Sequence, residues 1–177
     1  MQKNIFLMGI KSVGKSTLGK MLAEELNKKY YDTDLLIEEY YVTKKNLDTK
    51  ASLREIYKKE GVAFFKELEA SVCKWVRANV YDAVVSLGGG VIENQEAIDS
   101  LDHCGTFVYL KDKLDVLYQR IITYGIPPFL EDGDSYTNFT IIYKRRHKLY
   151  QKMADIIIDL NGADIAAAFK LLISKLG

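Results

Sequence analysis

The segment Gly9-Ile10-Lys11-Ser12-Val13-Gly14-Lys15-Ser16-Thr17 constrains the fold more than any other stretch of the chain. It follows the short apolar run Ile5-Phe6-Leu7-Met8 and precedes Leu18–Lys29, where Leu18, Met21, Leu22, Ala23 and Leu26 fall on one helical face. A strand, a glycine turn and a helix in that order form a cradle for phosphate. Gly9 and Gly14 let the backbone curl and aim its N–H groups inward. Lys15 brings a point charge to β and γ phosphates, and Ser16 brings a hydroxyl to Mg²⁺. The helix adds its positive end. The spacing specifies a nucleotide triphosphate site but leaves open where the phosphate goes.

Further apolar segments alternate with helical ones. Strands are expected at Asp82–Leu87, Thr106–Leu110 and Ile156–Leu160. Helices are expected at Leu35–Tyr41, Leu53–Lys59, Ala63–Ala78, Leu114–Ile122, Phe139–Lys152 and Ala163–Leu176. Such alternation predicts an α/β chain with a parallel sheet covered on both faces. At 177 residues and 48% hydrophobic content it forms one domain spanning 1–177, with no linker, repeat or low-complexity tract. Residues 123–138 hold both prolines, two glycines and three acidic residues, the chemistry of a long loop or lid.

The charge balance, 25 Lys and Arg against 24 Asp and Glu, gives no support to a nucleic-acid binder. Cys73 and Cys104 stand in no metal-ligand spacing, so a zinc site is not expected. Their scarcity fits a reduced, cytoplasmic protein. No signal-like segment and no apolar run of membrane-spanning length occurs. No long exposed apolar stripe stands out either, which predicts a monomer. His103 and His147 suggest no shared site. Trp75 shares a helix with Leu68, Val72 and Val76 and is expected in the core.

Four features outside the phosphate loop carry chemistry. Asp32 and Asp34 would share a face of an extended segment. Asp32 then suits magnesium, and Asp34 suits a substrate hydroxyl as its acceptor and base. The competing role for Asp34 is an N-cap before Leu35. Gly88-Gly89-Gly90 follows a buried strand, either as a sharp turn or to let a ligand reach backbone N–H groups. Among only five arginines, Arg146 offers a guanidinium fork to an anion. Arg120 either covers a purine or sits near a helix C-terminus. Lys66 alone would be unremarkable on a surface helix.

The ordered set resembles the shikimate kinase family over nearly the whole chain. The resemblance rests on Gly9–Thr17, on Asp32-Thr33-Asp34-Leu35-Leu36-Ile37-Glu38, and on Ile56 with Gly61-xxx-Phe65-Lys66-xx-Glu69. Ser86-Leu87-Gly88-Gly89-Gly90-Val91 and Arg146-His147-Lys148-Leu149-Tyr150-xxx-Ala154 complete it. It implies a three-layer αβα P-loop kinase fold with a central parallel sheet, a helical substrate-binding region near 33–62, and a lid at 123–138. It implies ATP and Mg²⁺, and phosphoryl transfer to the 3-hydroxyl of shikimate on the way to aromatic amino acids. ATP would be held by Gly9, Lys11, Ser12, Val13, Gly14, Lys15, Ser16, Thr17 and, over adenine, Arg120. Magnesium falls to Ser16 and Asp32, and catalysis to Lys15 and Asp34. Shikimate falls to Asp34, Lys66, Gly88, Gly89, Gly90 and Arg146.

The chain departs from the family's pattern. Lys66 stands where an arginine is expected, keeping charge but losing the fork. Gly61-Val62 replaces Gly-Glu, and the stretch Tyr41–Leu53 is long. Pro127-Pro128-Phe129-Leu130 replaces Arg-Pro-Leu-Leu, removing a cation at developing charge that Lys11 or Arg120 would have to offset. Two alternatives follow from the departures: a related kinase with another hydroxylated acceptor, or a catalytically impaired nucleotide-binding regulatory protein.

Overall fold

The computed structural model describes residues 3–123, 125–127, 130 and 133–177. Five parallel strands run β1 (Asn4–Met8), β2 (Lys29–Asp32), β3 (Ala83–Ser86), β4 (Gly105–Lys111) and β5 (Ile156–Asp159). Their order across the sheet is β2-β3-β1-β4-β5. Among the described residues seven α-helices flank the sheet: α1 (Lys15–Glu25), α2 (Thr33–Lys45), α3 (Leu53–Asn79), α4 (Gln95–Leu101), α5 (Leu114–Thr123), α6 (Ser135–Met153) and α7 (Ile165–Leu176). Strand β3 is buried throughout, which explains why its sequence is a continuous apolar run rather than an alternating one. Phe6 and Phe107 stack across β1 and β4 with ring centroids 4.8 Å apart. The buried Asn4 amide donates to the Val80 carbonyl and accepts from the Ala83 amide, fixing where β3 begins.

This strand order places the site. The chain steps from β1 to its far neighbours on one side and later to β4 and β5 on the other, so β1 lies at the topological switch point. Ligands of open parallel sheets collect beyond the strand C-termini at such a point. Leu7 pairs with Ser86, and Asp32 pairs with Ser86, so β1, β3 and β2 end at one level. The loops leaving them are the phosphate loop, the glycine run and the start of α2.

Several boundaries differ from expectation for local reasons. Helix α1 stops at Glu25 because Asn27 turns left-handed, and Lys29 joins β2. Ser52 and Glu55 form a reciprocal capping box that starts α3. Gly61 (φ 81°) kinks α3, dividing it into the two helical segments expected from the sequence. A Cβ there would touch nothing within 4 Å, so its backbone angle alone calls for glycine. Helix α4, absent from the sequence reading, is capped by Asn94.

Asp134 caps α6 and brings Ser135–Asn138 into the helix, so the expected 123–138 loop is shorter at that end. Pro128 and Phe129 lie outside the described residues. Leu130 is buried, and its amide donates to the Pro127 carbonyl. Trp75 is not core. It is 43% exposed, while Leu68, Val72 and Val76 are buried. Those three repeat every four residues, and Trp75 falls on the edge of their stripe, beside Tyr31. Among the described residues no helix is long and apolar enough to cross a membrane.

Candidate active site

The phosphate loop takes its shape from three left-handed or glycine-only backbone positions: Gly9 (φ 150°), Ser12 (φ 67°) and Gly14 (φ 102°). A Cβ on Gly9 would stand 2.5 Å from the Leu110 carbonyl oxygen, so close packing on β4 requires that glycine as well. The Lys15 ammonium folds over the loop, donating to the Gly9 and Ile10 carbonyls at 2.8 and 3.2 Å. Burial pushes its pKa down to about 8; the Asp34 and Asp32 carboxylates oppose that, and Arg146 and Lys11 add to it. A bound phosphate would hold the ammonium charged.

Asp32 and Asp34 do not share a strand face. Asp32 ends β2, and Asp34 is already in the first turn of α2. The N-cap is therefore Asp32 and not Asp34: Asp32 Oδ1 accepts from the Asp34 amide at 3.0 Å. Asp32 Oδ2 accepts from Ser16 Oγ at 2.8 Å and from Tyr30 Oη at 3.0 Å. Burial pushes the Tyr30 phenol up to about 12, so it remains a donor. Ser16 and Asp32 thus offer two hard oxygen donors side by side. That pair suits Mg²⁺, which keeps most of its water shell and binds through few protein ligands.

Asp34 has a different setting. No described residue donates a hydrogen bond to its carboxylate. Burial raises its pKa to about 6, the Asp32 charge adds to the rise, and Lys15 and Lys11 oppose it. A Cβ on Gly88 would stand 2.4 Å from Asp34 Oδ1. The first glycine of the run is therefore a requirement of Asp34, and the run is not merely a sharp turn. The Gly88 amide donates to Thr33 Oγ1 at 2.8 Å. Gly89 packs on the phosphate loop, a Cβ there lying 3.2 Å from the Lys11 nitrogen. The amides of Gly89 and Gly90 donate to no acceptor among the described residues and line the cleft.

Tyr150, buried at the far end of the family-like segment, donates to the Gly89 carbonyl at 2.7 Å. In a trans peptide the N–H points opposite the C=O. Holding that carbonyl therefore turns the Gly90 N–H away from Tyr150. Glu69 is also buried, and its carboxylate accepts from Asn94 at 3.0 Å. Burial pushes its pKa up. Asn94 further donates to the Lys66 carbonyl at 2.8 Å, tying the middle of α3 to the turn after the glycine run.

Arg146 lies beside this group: a Cβ on Gly90 would be 3.6 Å from its Nη2. Its Nε donates to Glu93 at 2.8 Å. Arg120 is tethered at 3.1 Å to Asp112, a fully buried carboxylate that also accepts from the Gly162 amide. The anchor fixes Arg120 near Ser12, whose carbonyl lies 3.5 Å away, and near the loop leading to α7. One cleft of about 1210 Å³ joins these residues. The whole loop from Lys11 to Thr17, Asp32, Asp34, Lys66, Gly89, Gly90, Arg120 and Arg146 line it. Gly9 and Gly88 act from behind it, shaping the backbone. Its volume exceeds that of a typical single-ligand pocket of about 300–1,000 Å³, and it suits two substrates held end to end. Tyr150 enters the sequence reading only as part of the family-like segment, without a role, and Asn94, Glu93 and Asp112 are missed by it, because each acts on a partner far along the chain.

Residues 11–176 match the model of the shikimate kinase family. The chain belongs to the shikimate kinase family. A shikimate kinase of Rippkaea orientalis is 32% identical over 158 residues, covering 89% of this chain and 79% of that one. A shikimate kinase of Francisella tularensis subsp. holarctica is 31% identical over 163 residues, covering 92% and 88%. The solved structure of the Acinetobacter baumannii shikimate kinase in complex with shikimate superposes with a TM-score of 0.85 at 27% identity, over 99% of this chain and 92% of that one. The fold is thus the three-layer P-loop kinase fold expected from the sequence.

Proposed function

We propose that this chain phosphorylates the 3-hydroxyl of shikimate with ATP, yielding shikimate 3-phosphate and ADP. The observation that carries the reading is Asp34. Its carboxylate lies against the glycine run, carries no hydrogen bond from a described residue, and shares the cleft with Lys15 and the phosphate loop.

The loop amides from Lys11 to Thr17 and the positive end of α1 hold the triphosphate. Lys15 draws charge from the β and γ oxygens as it develops. Arg120, fixed by Asp112, covers the purine. Ser16 and Asp32 would hold Mg²⁺, which would supply charge neutralisation to the triphosphate. Lys66 and Arg146 take the acceptor's carboxylate, and the Gly89 and Gly90 amides meet its hydroxyls. Asp34 accepts the hydrogen bond of the 3-hydroxyl and takes its proton. The bond from that oxygen to the γ phosphorus forms as the bond to the β,γ-bridging oxygen breaks, and ADP leaves. The chain works as one domain and as a monomer in the cytoplasm.

The test is ADP release from Mg-ATP with and without shikimate, with the product's phosphate position assigned by NMR. Shikimate-dependent turnover to the 3-phosphate is expected. ATP binding without stimulation by shikimate would refute the reading, and a panel of other polyols and hydroxy acids would then find any different acceptor.

A further inference from the structure

Arg145 and Arg146 are adjacent on α6, so their side chains leave the helix about 100° apart. Both nevertheless converge on one carboxylate. Glu93 Oε2 accepts from Arg146 Nε at 2.8 Å, and Glu93 Oε1 accepts from Arg145 Nε. Glu93 is set by the turn that closes the glycine run, where its amide donates to the Gly90 carbonyl at 2.9 Å. All three side chains line the cleft together with Lys66. Glu93 meets each guanidinium at its Nε. Lys66, Arg145 and Arg146 bring three cationic side chains to the cleft beside the carboxylates of Glu69 and Glu93, and three such cations suit an anionic acceptor.

We propose that Glu93 is a positioning residue that holds Arg145 and Arg146 as a paired guanidinium site, with Arg145 the second fork on the acceptor's carboxylate. The proposal rests on the shikimate reading above. It competes with a plain alternative in which Arg145, 57% exposed, forms a surface ion pair of little consequence.

Initial rates with shikimate and with its neutral methyl ester separate the two. In Arg145→Gln the KM for shikimate should rise about tenfold, a common size for a lost charge-assisted hydrogen bond. The KM for ATP and for the ester should stay within about twofold, because neither depends on the carboxylate fork. Glu93→Ala supplies a test of sign. Removing an anion beside the site would tighten binding if Glu93 acted only by charge. Loss of positioning should instead raise the KM for shikimate about tenfold. If Glu93→Ala fails to fold by circular dichroism, Glu93→Gln, which keeps an acceptor for one arginine, should raise it about threefold. An unchanged KM in Arg145→Gln, or a lowered KM in either Glu93 variant, overturns the proposal while leaving shikimate phosphorylation intact. A wild-type protein that turns over neither acceptor overturns the functional reading and the paired site with it.

Discussion

Asp34→Asn should slow phosphoryl transfer severely and stabilise the fold. The native carboxyl is raised from 3.8 to about 6, chiefly by burial and then by the Asp32 charge. At about 1.4 kcal/mol per pKa unit, keeping this group ionised in the fold costs about 3 kcal/mol. The direction follows from proton binding. Between about pH 4 and 6 the folded protein holds the Asp34 proton and the unfolded chain has lost it. Ionisation therefore penalises the fold progressively as pH rises through that window, and fully above it. Asparagine carries no such cost. It also removes a charge that supports the Lys15 ammonium, which offsets part of the gain. A net stabilisation of about 1–3 kcal/mol at pH 7.5 is expected, with Tm rising about 2–4 °C for each kcal/mol in a chain of this size. Urea unfolding at pH 4, 5, 6 and 7.5 reads the effect, and the variant should lack the wild type's loss between pH 4 and 6. In a coupled ADP assay kcat should fall about 10²–10⁴-fold, the span expected for a lost general base. A variant no more stable than wild type at pH 7.5, or one that keeps its kcat, refutes the picture of a buried, functionally ionised carboxylate.

The pH profile of kcat/KM for ATP should be bell-shaped. It falls below about 6 as Asp34 is protonated and above about 8 as Lys15 loses its proton, and titrating initial rates from pH 5 to 9.5 locates both limbs. Lys66→Arg restores a planar fork at the acceptor's carboxylate and should lower the KM for shikimate about two- to tenfold with kcat little changed, read from initial rates. Tyr150→Phe removes the bond to the Gly89 carbonyl while keeping the ring stacked on Tyr109. It should raise the KM for shikimate about three- to tenfold with the KM for ATP unchanged, since the Gly90 amide loses its aim.

The parts of this molecule that were legible in the sequence are those whose signal is local. The phosphate loop announces itself by glycines at fixed spacing between an apolar run and a helical one. Gly61 marks its kink because only its own backbone angle is at stake. The remainder depends on partners that no period relates. Tyr150 meets Gly89 across 61 residues, Glu93 meets Arg146 across 53, and Asp112 meets Gly162 across 50. Trp75 shows the limit of a helical stripe read without its neighbours. It lies within the spacing of the apolar face yet at its edge, 43% exposed beside Tyr31. Two of the three glycines at 88–90 are explained by neighbours far along the chain, the Asp34 side chain behind Gly88 and the phosphate-loop backbone against Gly89.

The two aspartates are separated by a single residue, yet the fold gives them opposite chemistry. The strand ends at Asp32, and the helix begins at Thr33. One oxygen of Asp32 is thereby committed to the Asp34 amide, and the other to Ser16 and Tyr30. Those three hydrogen bonds fix the orientation of the Asp32 carboxylate and set its Oδ2 beside Ser16 Oγ, a pair of hard donors for a cation. Asp34, one helical step later, turns toward Gly88 and away from those donors, and burial beside its neighbour's charge weakens its hold on the anionic form. A proton acceptor poised near neutrality results without any specialised residue type. The boundary between β2 and α2 divides the work: moved by two residues, it would give Asp34 the cap and leave the hydroxyl without its base.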